Sequence, residues 1–185
     1  HPGLSVNRTG QPGALTQIRF RGAEANHTLV LIDGIEVNDP ATGNEYNFAN
    51  STHLAVKSVE VVRGPMSSRY GSEAVGGLIA IRTNNPAAQD DRATVYAATG
   101  SQNQKEIALS GALASTKNTK AGLTVSASES DGYNVSNFGS EKDGSGHANL
   151  IGHLDLQVLE SMNLGLVVLA NQTSTMGDEQ DFRFP

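Results

Sequence analysis

The sequence predicts an α+β domain with a small mixed sheet, followed by antiparallel strands of a β-barrel that the chain itself does not complete. Three observations carry this reading. Residues 1–85 mix short apolar runs with turn chemistry and isolated charges, the texture of a compact domain of short strands and brief helices. Residues 93–172 alternate apolar with small or polar residues in about five segments, each near the roughly 9–11 residues a tilted strand needs to cross a bilayer. The connections between those segments are alternately short and long, as in an outer-membrane barrel. A soluble antiparallel sheet has the same period, so the pattern alone leaves a membrane wall and a soluble β-rich binding or adhesion module side by side. Five strands also fall short of the roughly eight in the smallest barrels, so on the barrel reading the chain is a fragment of a larger protein.

The elements follow in order. Thr16 to Arg21 alternates and ends at Gly22. The run Thr28 to Ile32 enters Asp33-Gly34, a dipeptide suited to a two-residue hairpin turn into Ile35 to Val37. Ser51 or Thr52 is placed to cap a short helical turn, and Pro65 is placed to open another at its first position. Between them Ser58 to Val62 reads as a buried strand closed by Arg63, and Leu78 to Ile81 reads as a further one. The polar, proline-containing stretch 86–92 reads as the linker between a first domain at 1–85 and the strand region at 93–185. There the expected strands are about 93–101, 105–115, 119–129, 148–158 and 161–172, with short turns at 116–118 and 160–161 and a long polar loop at 130–147.

Composition narrows the function classes. A formal charge of −6 with no basic stripe argues against nucleic-acid binding. There is no cysteine, so disulfides and thiolate metal sites play no part. No unbroken apolar run approaches the roughly 18 residues of a spanning helix, and the His1-Pro2-Gly3-Leu4 start does not read as a signal peptide.

The stretch "VRGPMSSRYGSEAVGG" invites comparison with a phosphate loop, and fails it. A P-loop needs Lys and then Ser or Thr after its second glycine, whereas Gly76-Gly77 is followed by Leu78, and Glu73 would repel phosphate. Gly64 and Gly71 read instead as turn positions with positive φ, and Gly76-Gly77 as a place where chain approaches chain. The five histidines are scattered without ligand spacing, and no nucleophile stands beside a base. No enzyme activity and no cofactor is read from these residues.

Taken in order and spacing, "IRFRG", "HTLVLIDGIEVND" and "SVEVVRGPMSSRYGSEAVGGLIAIRT" resemble the plug domain of TonB-dependent outer-membrane receptors over residues 4–83. The later strands, with "ESDGYNVSNFGS", are similar to the first barrel strands of that family, in its cobalamin-receptor-like branch. The resemblance implies a plugged barrel of about 22 strands in the outer membrane of a Gram-negative bacterium. It further implies energy-coupled uptake of a ferric siderophore or cobalamin-type ligand, contact with outer-membrane lipid, and TonB as partner. The segment that TonB would grasp is expected to lie outside this sequence, as are most of the strands.

The resemblance also assigns residues. Arg21 and Arg63 match plug positions that pair with barrel glutamates, locking plug to wall, and Arg19 is a further candidate for that role. Ligand contact is expected from two loops facing the cell exterior, at Ala14, Leu15 and Thr16 and at Asn38, Thr42, Asn44 and Tyr46. No metal site emerges from the residues themselves, although the resemblance offers Asp143 and Asp178 as calcium candidates.

Overall fold

The computed structural model describes residues 3–10, 13–51, 53–89, 93–134 and 142–176. Two short strands open the chain, β1 (Leu4–Arg8) and β2 (Thr16–Phe20), paired antiparallel with Val6 opposite Ile18. A four-stranded mixed sheet follows, built from β3 (Thr28–Ile32), β4 (Ile35–Glu36), β5 (Val56–Arg63) and β6 (Gly77–Thr83). Its order is β4-β3-β6-β5, with β3 and β6 parallel and the other pairs antiparallel. The expected hairpin is present: Ile32 pairs with Ile35, while Asp33 and Gly34 take φ of 50° and 86°, the left-handed pair such a turn requires.

Both faces of this sheet are covered. On one, Phe20, Val30, Ile79 and Ile81 form a core under β2 and the loop carrying Tyr46 and Phe48. On the other, Leu29, Ala74 and Leu78 pack beneath Met66 and Tyr70, beside the single turn α1 (Ser67–Tyr70). Phe20 crosses the edge of β6 at Gly77. A Cβ there would lie 2.7 Å from the Val62 carbonyl oxygen and 2.8 Å from the Phe20 ring, so the close approach read from Gly76-Gly77 is real. Gly64 and Gly71 take φ of 100° and 92°, as turns with positive φ require.

Two of three local expectations are corrected and one is met. Pro65 does not open α1; the helix starts at Ser67, with Met66 as its N-cap at φ −117° and ψ 12°, its amide donating to the Ala74 carbonyl at 2.7 Å. The short helical turn expected after Ser51 or Thr52 is present as a 3-10 turn at His53–Ala55, and a further one at Phe48–Asn50 is capped by Asn47, whose side chain accepts from the Ala49 amide. And β5 is not buried along its length, since it is the edge of the sheet and Arg63 at its end is exposed.

The second sheet is antiparallel in the order β11-β10-β9-β8-β7, with β7 (Thr94–Thr99), β8 (Lys105–Ser115), β9 (Thr119–Ser130), β10 (Ser145–Leu159) and β11 (Met162–Thr175). Only β7 is markedly shorter than expected, at 6 residues; β10 and β11 reach 15 and 14. The registers line up Val95, Leu109, Val125 and Leu150 in one transverse row on the face turned away from the first domain, and all four are exposed. The opposite face carries small and polar side chains, among them Thr124, Ser126 and His153, which are buried. A soluble sandwich would turn the apolar face inward. Here these strands form one sheet whose apolar rows point outward, which overturns the adhesion-module alternative. Among the described residues no helix is long and apolar enough to cross a membrane.

The segment between the sheets is seated in the second one. A short 3-10 helix spans Pro86–Gln89, with Pro86 and Ala87 buried. Gly122 makes room for it, because a Cβ there would stand 2.9 Å from the Pro86 ring.

Candidate functional site

The first domain meets the polar face of the second sheet through hydrogen bonds. The Asp33 carboxylate accepts from the Thr83 amide at 2.9 Å and from the Thr83 hydroxyl, and it faces Nε2 of His153 on β10 at 3.2 Å. A carboxylate only accepts, so the imidazole nitrogen facing it is the donor, and Thr83 Oγ1 lies within its reach at 3.0 Å. Nearby, Thr173 donates to the Asn50 side chain at 3.2 Å and Asn85 donates to Asp155 at 3.4 Å. His53 lies 3.4 Å from Glu106, a carboxylate with little solvent access.

Above these contacts, between the loop 39–51 and strands β10 and β11, lies a cavity of about 600 Å³. Its floor is apolar, from Ile32, Val37, Ala55, Ile81 and Ile151, and its rim carries the amides of Asn47, Asn50, Asn149 and Asn171. Asn47 organises the rim: its Oδ1 accepts from the Thr16 amide and from the Ala49 amide, each at 3.0 Å, tying the two loops together. Tyr46 stands edge-on to Phe48 with ring centroids 5.0 Å apart, and its hydroxyl is 2.9 Å from Ser51 Oγ. Burial raises the pKa of that phenol, against a smaller lowering from the Ser51 hydrogen bond.

Of the residues expected to contact ligand, Leu15, Thr42 and Tyr46 line this cavity. Ala14 and Thr16 lie next to it in the chain, with the Thr16 hydroxyl turned to the Ala14 carbonyl at 3.0 Å. Asn38 does not reach it. That side chain is buried, accepting from the Val30 amide at 2.8 Å and donating to the Thr28 and Asn44 carbonyls at 3.0 Å each. Asn44 takes φ of 62° and donates to Glu73, which pins the loop to the segment after α1. Two carboxylates that the sequence did not single out, Asp39 and Glu45, line the cavity as well.

The arginines are spread. Arg19 donates to Gln17 at 2.9 Å, and Gln17 donates in turn to Glu45, so a polar chain runs from β2 to the cavity. Arg21 sits at the end of β2 with φ of 49°, exposed, its amide donating to the Gly3 carbonyl at 2.8 Å. Arg63 stands exposed at the end of β5, opposite Gly77. Asp143 is buried in the loop between β9 and β10, and Asp178 lies outside the described residues.

A four-stranded mixed sheet with a polar loop above it, fitted against the small-residue face of a barrel-like sheet, is a known pairing. Residues 1–78 match the family described as TonB-dependent Receptor Plug Domain. The first domain is a TonB-dependent receptor plug domain. Over 193 aligned residues it is 31% identical to the vitamin B12 transporter BtuB of Vibrio vulnificus strain YJ016, an alignment taking in 99% of this chain and 31% of that protein. Among solved structures it resembles the copper transporter OprC, with a TM-score of 0.73 at 16% identity over 94% of this chain and 27% of the other. It also resembles a variant of the ferric enterobactin receptor of Pseudomonas aeruginosa in complex with enterobactin, with a TM-score of 0.67 at 18% identity over 94% of this chain and 30% of that one. The chain thus spans about 30% of the length of the proteins it matches. The first domain is the plug and the second sheet is part of the wall. One fold serves relatives named for cobalamin, for a ferric siderophore and for copper, so the fold does not select the ligand.

Proposed function

We propose that this chain is the plug and first wall strands of an outer-membrane receptor for energy-coupled uptake of a scarce, large ligand of the ferric siderophore or cobalamin type. The cavity between the plug loop 39–51 and strands β10 and β11 is its seat, with Leu15, Thr42 and Tyr46 in contact and Ala14, Thr16 and Asn44 shaping the loops that hold them. The observation that carries the reading is this cavity, lined by asparagine amides together with apolar side chains, the mix expected of a selective pocket. The outward apolar rows of β7 to β10 support a lipid-facing wall in a Gram-negative outer membrane.

The plug–wall contact supports the energetics of such uptake. The plug's own core is apolar and stays shut, whereas the interface holds through separate polar bonds such as Asp33–His153 and Asn50–Thr173. Each such bond is worth only about 1 kcal/mol net, because water replaces it when it breaks. A pull on the plug, delivered by TonB, therefore shifts it against the wall without exposing a large apolar surface. Arg21 and Arg63 add locking contacts to barrel strands that follow in the full receptor.

The test is a binding titration of the detergent-solubilised full-length receptor with cyanocobalamin and with ferric siderophores, beside uptake by cells with and without TonB. The reading expects saturable binding of at least one of these, weakened at least about tenfold by Tyr46→Ala, and uptake that requires TonB. Binding untouched by Tyr46→Ala would remove the cavity from the function, and uptake independent of TonB would remove the coupling.

A further inference from the structure

The cavity carries a charge signature. Asp39 and Glu45 both line it, while no lysine, arginine or histidine does so among the described residues. The two carboxylates are placed together by the backbone. Residues 39 and 45 form an isolated antiparallel bridge, with the Asp39 amide donating to the Glu45 carbonyl at 3.0 Å. Residues directly opposite on such a ladder present their side chains to the same face, and like charges in that position repel. Each carboxylate is also held: Asp39 accepts from the Ala41 amide at 2.9 Å, and Glu45 accepts from Gln17, which is itself buried. Asp39 is exposed and Glu45 half-buried, and each gives up a partner if it turns away.

From this arrangement we infer that Asp39 and Glu45 set ligand class by charge: the seat takes a large neutral or cationic guest rich in amide or carbonyl groups, and rejects polyanionic chelates. This rests on the cavity being the ligand seat, as proposed above. A polyanion entering a cavity lined by two carboxylates, with no cation among its described lining residues, meets repulsion that water there screens in part. An amide-bearing guest instead finds matched donors and acceptors at Asn47, Asn50, Asn149 and Asn171, and an apolar floor for its body. Selection of this kind works by rejecting the wrong ligand as much as by holding the right one.

The experiment titrates the full-length receptor with three probes: cyanocobalamin as a neutral corrinoid, a cationic ferric trihydroxamate and a triply anionic ferric tris-catecholate. The wild type is expected to bind the neutral or the cationic probe at least about tenfold more tightly than the trianion. The double variant Asp39→Asn, Glu45→Gln keeps the shape and the accepting oxygens, and is expected to narrow that gap by about tenfold through stronger binding of the trianion. Tightest binding of the trianion to the wild type, or an unchanged gap in the double variant, overturns the inference. Thr42→Trp, which fills the cavity mouth, separates the two levels. If it abolishes binding while the gap is absent, the seat stands and charge selection falls; if it leaves the binding of every probe unchanged, the seat itself falls and charge selection with it.

Discussion

Nε2 of His153 on the wall lies 3.2 Å from Oδ2 of Asp33 in the plug hairpin, and the same carboxylate holds both the amide and the hydroxyl of Thr83. A single aspartate thus closes the turn of one domain and latches it to the other. In a double-mutant cycle on the full-length receptor, Asp33→Asn and His153→Leu are expected to couple by about 1–2 kcal/mol, as groups sharing one hydrogen-bond network do. Thermal melting of the two single variants and the double variant measures this. Simple additivity would show that the pair is adjacent without being coupled.

Gly77 sits where a Cβ would meet the Val62 carbonyl and the Phe20 ring, and neither can move freely because Phe20 fills the plug core. Gly77→Ala is expected to cost about 1–3 kcal/mol through overpacking. Gly43→Ala is the control, because nothing lies within 4 Å of its added methyl and only its positive φ is strained. Its cost should stay near 1 kcal/mol. Denaturant titration should therefore rank the two, and an equal loss would remove close packing as the reason for Gly77.

Asn38 distinguishes a structural role from ligand contact. Its three hydrogen bonds tie β3 to the loop that carries the cavity rim. Asn38→Ala is expected to lower stability by about 2–3 kcal/mol, since buried backbone groups lose their partners. It should also expose residues 39–47 to limited proteolysis. Asn38→Asp should recover little, because a carboxylate cannot donate to the two carbonyls. A variant of full stability that only loses ligand would return Asn38 to the contact set.

The phenol of Tyr46 carries a pH signature. Burial raises its pKa in the folded state above the ordinary tyrosine value near 10. A raised folded value means the folded state holds the proton longer, so this contribution is intact below about pH 10 and declines as pH climbs towards the folded pKa. Ultraviolet difference titration of wild type against Tyr46→Phe should show a phenol that ionises above the ordinary tyrosine value and is lost in the variant. A difference step at or below the ordinary tyrosine value would contradict its burial.

How much of this was legible depended on the range of the physics. The Asp33-Gly34 turn, Gly64, Gly71 and the close approach at Gly77 were readable, because positive φ and missing side chains are local demands that leave local residues behind. The period-two strands were readable for the same reason. The latch between Asp33 and His153 was not: the two lie 120 residues apart, and each alone looks like an ordinary turn acid and a strand histidine. Strand β1 went unread because Leu4 and Val6 alone make a weak pattern that only pairing with β2 completes. At the site, Leu15, Thr42 and Tyr46 came from resemblance, whereas Asp39 and Glu45 were not singled out, because the bridge that pairs them is not visible in the sequence.

The outward row of Val95, Leu109, Val125 and Leu150 gives the membrane reading its sharpest test. If these side chains meet lipid, Leu109→Arg or Val125→Arg forces a charge into hydrocarbon, at a cost of about 2–4 kcal/mol near the midplane. Ser110 lies one residue from Leu109 on the opposite face, where its hydroxyl is 2.9 Å from that of Thr124. Ser110→Ala there removes a small polar contact and should cost about 1 kcal/mol. In cells making the full-length receptor, the two arginine variants are expected to reduce the folded, heat-modifiable species in the outer membrane well below wild type, and Ser110→Ala to leave it nearly unchanged. Arginine variants that assemble at wild-type levels would mean the apolar rows face something other than lipid.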